Sequence, residues 1–121
     1  MTRFDSYRDA FPNARLTRKP NGVLEIALHT EGGKLVFNGH THEQFVDLFH
    51  AVGEDRETRV VVLTGTGDAF MDAISPEGFD FFSPLGYDKI LREGRKVLTN
   101  ILDVEVPMIT ALYCCTANMR C

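Results

Sequence analysis

The chain has 121 residues, 44% hydrophobic and 25% charged, with 17 acidic against 13 basic side chains and a formal net charge of −4. This is the size and composition of one globular domain, and its interspersed charges exclude the basic stripe that phosphate neutralisation requires, so no nucleic-acid partner is expected. The longest apolar runs, 60–63 and 106–112, fall far short of the ~20 residues that cross a bilayer, so no membrane partner is expected either.

The first ten residues, with Arg3, Asp5, Arg8 and Asp9, lack both the apolar centre of a secretory signal and the acid-poor character of a transit peptide. The expected compartment is therefore the cytoplasm. Residues 1–13 read as a polar arm without a regular element, ending in Phe11-Pro12-Asn13, and structure is expected from residue 14 onward. Ala14 to Lys19 and Val23 to His29 flank Pro20-Asn21-Gly22, and Leu24, Ile26 and Leu28 alternate with Glu25 and Ala27. This pattern predicts a β-hairpin with one buried face.

Leu35-Val36-Phe37 is a short extended passage between two glycine turns, partly open to solvent. Thr41 and Gln44 form a capping box, Phe45, Leu48, Phe49 and Val52 recur at helical spacing, and Gly53 supplies a stop, which predicts a helix over 41–53. The β-branched run 59–64 shows no alternation and reads as a strand covered on both faces, ended by Gly65-Thr66-Gly67. Ser83 and Pro84 then open a second helix reaching about Leu102. Its apolar stripe is Tyr87, Ile90, Leu91, Gly94, Val97, Leu98, Ile101 and Leu102, with Lys89, Arg92, Arg95 and Lys96 on the wet side.

Residues 107–112 read as a further buried strand. The order β-β-α-β-loop-α-β specifies an α/β fold with parallel strands joined by right-handed crossovers. A parallel strand at 107–112 needs a covering helix, and 113–121 is too short to hold one, so a continuation is expected.

Three candidate motifs carry little chemistry. The loop from Gly65 to Phe70 lacks the third glycine of a dinucleotide fingerprint and the Gly-Lys-Ser/Thr of a P-loop. Around His29, His40, His42 and His50 no carboxylate at ligand spacing stands out, and surface or capping roles are expected of them. Cys114, Cys115 and Cys121 form neither a disulfide framework nor a zinc site and read as free thiols. No G-x-S-x-G elbow, Cys/His pair or H-E-x-x-H occurs.

The ordered series says more than any single motif. A strand running from Val60 through Thr64 to Gly65-Thr66-Gly67, then Asp68-Ala69-Phe70, a long helix, and the passage from Val104 to Leu112 resemble the enoyl-CoA hydratase/isomerase (crotonase) superfamily over about Leu16 to Leu112. The resemblance implies a partial ββα spiral, an incomplete domain over 14–121 of a fold roughly twice as long, and a homo-oligomeric parent. It also implies an oxyanion hole of two backbone N–H groups, which stabilises developing enolate charge by ~2.7–4 kcal/mol per donor.

Carried over residue by residue, Phe70 to Ser75 occupies the place of the family's Phe-x-x-Gly-Ala-Asp, which makes the N–H of Ile74 the first donor. Ala73 stands for the glycine and Ser75 for the aspartate. Tyr113-Cys114 matches the family's Asn-Gly, and counting six residues on places the second donor at Met119. The glycine-rich helix start usual there is replaced by 115–119.

Within the superfamily, the passage 29–37 departs from the coenzyme A binders. It looks more like the hydrolases of cyclic β-diketones such as 6-oxocamphor hydrolase, which cleave a C–C bond by a retro-Claisen reaction and need no cofactor. Phe37 is then expected to line the substrate pocket, with Phe79 and Phe81 in its apolar wall; core packing would account for the same phenylalanines equally well. The water-activating His and Asp and the later Glu of that subgroup fall beyond the equivalent of Cys121. The segment 114–121 also leaves the family pattern abruptly, as an altered frame, a premature stop or natural divergence would produce.

Three readings follow: a chain derived from a β-diketone hydrolase and inactive at this length, an enoyl-CoA hydratase/isomerase acting on acyl-CoA thioesters, and a non-catalytic fragment that associates through exposed apolar surface.

Overall fold

The hairpin predicted at 14–29 forms because Gly22, at φ +90°, turns the chain where a side chain would be strained. Lys19 N–H donates to the Val23 carbonyl and Gly22 N–H to the Lys19 carbonyl, closing the turn. A computed structural model describes residues 3–71 and 73–111. In chain order these form α1 (Arg3–Tyr7), β1 (Ala14–Arg18), β2 (Val23–Leu28), β3 (Val36–Phe37), α2 (Gly39–Glu54), β4 (Val60–Thr64), β5 (Ala73–Ile74), α3 (Pro84–Leu102) and β6 (Met108–Ala111).

The fold is α/β, as the sequence predicts. The main sheet has the order β1-β2-β4-β6, with β1 antiparallel to β2 and the other two pairings parallel. Period-two alternation puts Leu16, Leu24, Ile26, Leu28, Val61 and Leu63 on one buried face. Phe45, Leu48, Phe49 and Val52 of α2 complete that core, and α3 packs on α2.

Six expectations need correction. The arm is not irregular: α1 forms because Phe4 and Tyr7, three residues apart, share one helical face and both enter the core. The first long helix starts earlier, at Gly39, because Asn38 caps it. The Asn38 side chain accepts from His40 N–H and Thr41 N–H, while the Thr41 hydroxyl serves the Asn38 N–H in return, so Thr41 sits inside the helix and not at its cap.

The run 60–64 is buried on one face only; Val60, Val62 and Thr64 are half-covered, because no described element lies over them. For the same reason β6 is not buried, and Ile109 stays 56% exposed at the sheet edge. The predicted loop between β4 and α3 also contains a strand, β5, which pairs in parallel with β3 as a second small sheet. Leu35, expected near solvent, is fully enclosed.

Candidate active site

The glycine-rich loop lies at the C-terminal end of β4, where open parallel sheets place their ligands. It folds back on itself through a Thr66–Ala69 bridge, and the Thr66 hydroxyl ties it to the Leu28 carbonyl at the end of β2. Gly65 permits this fold, since a Cβ there would stand 2.5 Å from the Ala69 carbonyl oxygen and the Phe70 Cα. Gly67, at φ +75°, makes the turn, and Lys34 reaches Asp68 across it at 2.8 Å.

β5 follows this loop. Its register pairs Ala73 with Val36 and Ile74 with Phe37, and Ser75 N–H donates to the Phe37 carbonyl at 2.8 Å. Backbone groups alternate in direction along a strand. With Ser75 facing β3, the Ile74 N–H is therefore aimed to the opposite side of β5. The Ile74 side chain is 72% exposed. The structure thus puts the predicted donor on a short strand, next to the predicted pocket residue Phe37 and aimed away from the ladder. The other predicted donor, Met119, lies outside the described residues, as do Cys114, Cys115 and Cys121.

Beyond Ser75 the chain is fastened to the start of α2. Gly39 N–H donates to the Glu77 carbonyl at 2.8 Å, and a Cβ on Gly39 would meet the Gly78 carbonyl carbon and oxygen at 2.2 Å. This close backbone crossing sets the position of Phe79. The three predicted wall residues come together: ring centroids are 6.4 Å apart for Phe37–Phe79 and 5.3 Å for Phe79–Phe81. Phe37 also packs on the core residue Phe45 at 6.1 Å, the contact that core packing by itself would give. Asp80 then shapes the start of α3, accepting from Phe82 N–H and Ser83 N–H, with the Ser83 hydroxyl holding its carboxyl below the usual value.

Three of the four histidines have the surface or capping places expected of them. His29 ends β2 and accepts from Gly32 N–H through Nδ1, His40 stands exposed against Gly78, and His50 is exposed on α2. His42 has a role the sequence reading missed. Its ring is edge-on to Phe37 at 5.9 Å and to Phe79 at 5.4 Å, and its Nδ1 lies 3.1 Å from Glu93 Oε1 on α3. The signal that could have found it is its place three residues before Phe45, on the inner face of α2. Among the described residues, no group of three or more His, Cys, Asp or Glu side chains stands ready to hold a metal ion, and no helix is long and apolar enough to span a membrane.

No family model and no curated protein matches this chain. Solved structures do match it. A β-diketone hydrolase from the cyanobacterium Anabaena sp. PCC 7120, bound to (S)-3-oxocyclohexyl acetic acid, is 44% identical with a TM-score of 0.86, over 89% of this chain and 44% of its own. An enoyl-CoA hydratase from Mycobacterium smegmatis is 21% identical (TM-score 0.69) over 84% of this chain and 40% of its own. An enoyl-CoA hydratase/carnitine racemase from Magnetospirillum magneticum is 22% identical (TM-score 0.72) over 89% and 41%. The last two, at that identity, speak for the fold alone. The chain spans less than half the length of each of the three.

Proposed function

We propose that this chain, whose structural neighbours are crotonase-superfamily proteins, derives from a hydrolase that cleaves a C–C bond in a β-diketone. The observation that carries this reading is the 44% identity to a β-diketone hydrolase, about twice that to the enoyl-CoA hydratases. In the proposed reaction, water adds to one carbonyl carbon and loses a proton. The bond between that carbon and the central carbon then breaks, its electron pair leaving with the central carbon, which gives a carboxylic acid and an enolate; the enolate takes up a proton to become the ketone, and the acid ionises to the carboxylate. The enolate oxygen takes a hydrogen bond from Ile74 N–H and a second from Met119 N–H, while Phe37, Phe79 and Phe81 pack against the apolar ring of the substrate.

The 121 residues alone are expected to turn over nothing, because an oxyanion donor without a placed base supplies only part of the rate; general acid–base help is worth ~10²–10⁴-fold. The purified chain should be assayed against a bicyclic β-diketone and against crotonyl-CoA, with Ile74→Pro in parallel. Proline is tolerated there, since the N–H it removes is not one that faces β3. Turnover that the proline abolishes would show the chain to be an enzyme as it stands. Preference for crotonyl-CoA over the diketone in a calorimetric titration would favour the acyl-CoA reading instead.

A second reading, association through apolar surface, is favoured by α3. Tyr87, Leu91, Leu98 and Leu102 of its stripe are 53–83% exposed, and only the side carrying Ile90, Gly94, Val97 and Ile101 is half-covered, against α2 and the core. Size-exclusion chromatography of the chain tests this: a clean, dye-silent monomer would contradict it.

A further inference from the structure

Position 42 lies on the same side of α2 as Phe45, Phe49 and Val52, where an apolar residue would serve the core without assistance. Histidine there must satisfy its ring N–H once water is excluded. Glu93 does so, and since an ionised carboxylate can only accept, Nδ1 carries the proton. Both side chains are largely enclosed, at 13% and 18% exposure, and Lys89 stands 3.9 Å from Glu93 and 3.0 Å from Glu43. The second ring nitrogen, Nε2, lies towards Gly94 of α3, where an added Cβ would stand 3.5 Å from it. The ring edge meets Phe37 from β3 and Phe79 from the 75–82 segment.

A partly buried polar pair of this kind adds little stability over an apolar packing of the same volume, but it fixes one arrangement. We propose that His42 and Glu93 are positioning residues, which lock α2 to α3 so that Phe79 stands over Phe37 and the width of the aromatic wall is set. The proposal rests on reading that wall as the substrate-binding surface.

The test uses aromatic NMR of the whole chain together with its affinity for (S)-3-oxocyclohexyl acetic acid. Glu93→Ala is expected to move the Phe37 and Phe79 ring resonances and weaken the probe by about tenfold, the size of one lost charge-assisted hydrogen bond. Glu93→Gln, whose side-chain carbonyl still accepts from Nδ1–H, should restore both. His42→Phe, which keeps the packing and removes the link, should leave the chain folded yet still displace the Phe79 resonances. Unmoved ring resonances in Glu93→Ala and His42→Phe would overturn the proposal. Displaced and rescued rings in a chain that binds no probe would support the positioning and refute the substrate-pocket reading.

Discussion

Asp55 is fully enclosed at the end of α2, and its carboxylate accepts from the Tyr7 hydroxyl at 2.6 Å, Arg18 Nη1 at 2.8 Å and Glu57 N–H at 3.0 Å. Burial alone would raise this carboxyl, but the hydrogen bonds from Tyr7, Glu57 N–H and Arg18, with the guanidinium charge, hold it below its ordinary value. Burial, then the bond to Asp55, pushes the Tyr7 phenol up. A carboxyl depressed in the folded state binds its proton more readily when unfolded. Its contribution to stability is therefore present above the ordinary 3.8 and drains away as the pH falls through the lower folded value. Acidification in that window should lower the urea midpoint, with a shallower slope in Asp55→Asn. At neutral pH, Tyr7→Phe should cost about 1 kcal/mol, while Asp55→Ala, which leaves the enclosed Arg18 only its longer 3.6 Å contact with Glu57 and its bond to Thr58, should cost more, about 3 kcal/mol. None of this was legible in the sequence: the partners are 48 and 37 positions apart, and α1 escaped notice because five residues are too few for a periodic signal.

The two long helices and the main strands were legible because each carries enough residues for its period to show, and α3 has the predicted cap, Ser83, the predicted first residue, Pro84, and the predicted end. The start of α2 was misread because Asn38-Gly39 has the composition of a turn; the reciprocal partner of the Asn38 cap is Thr41, itself a capping residue by type. Asn38→Ala should lower stability by about 1 kcal/mol, read from thermal unfolding. Gly39→Ala poses a clearer contest. Helix propensity favours alanine by roughly 1 kcal/mol, but its Cβ would stand 2.2 Å from Gly78 backbone atoms, so the variant should be destabilised and the Phe79 resonances displaced. A stabilised Gly39→Ala with unmoved Phe79 would show that the crossing does not position the wall. β5 went unseen, and the extended passage that holds β3 was read without a partner, for a related reason: two-residue strands have no period, and their pairing joins segments far apart in the chain.

For the molecule as a whole, one face of the sheet is packed and the other, with Ile109, is half-open, while α3 offers its apolar stripe to solvent. Leu91→Glu combined with Leu98→Lys should reduce hydrophobic-dye binding and any self-association while leaving the unfolding midpoint nearly unchanged, because both side chains are already more than half exposed. The site was legible only in part. Family resemblance pointed to Ile74, Phe37, Phe79 and Phe81, and the structure brings the three rings together beside β5; the His42–Glu93 link, 51 positions apart, had no counterpart in any local motif. The central claim, a β-diketone hydrolase ancestry with its ligand between the Ile74 amide and the phenylalanine wall, is tested most directly by following the backbone amides of labelled protein during titration. The titrants are (S)-3-oxocyclohexyl acetic acid and, separately, crotonyl-CoA. The predicted result is a saturable shift of the Ile74 amide and of the Phe37 and Phe79 signals with the keto acid and none with crotonyl-CoA; shifts with crotonyl-CoA alone, or shifts confined to residues away from β5 and the wall, would contradict it.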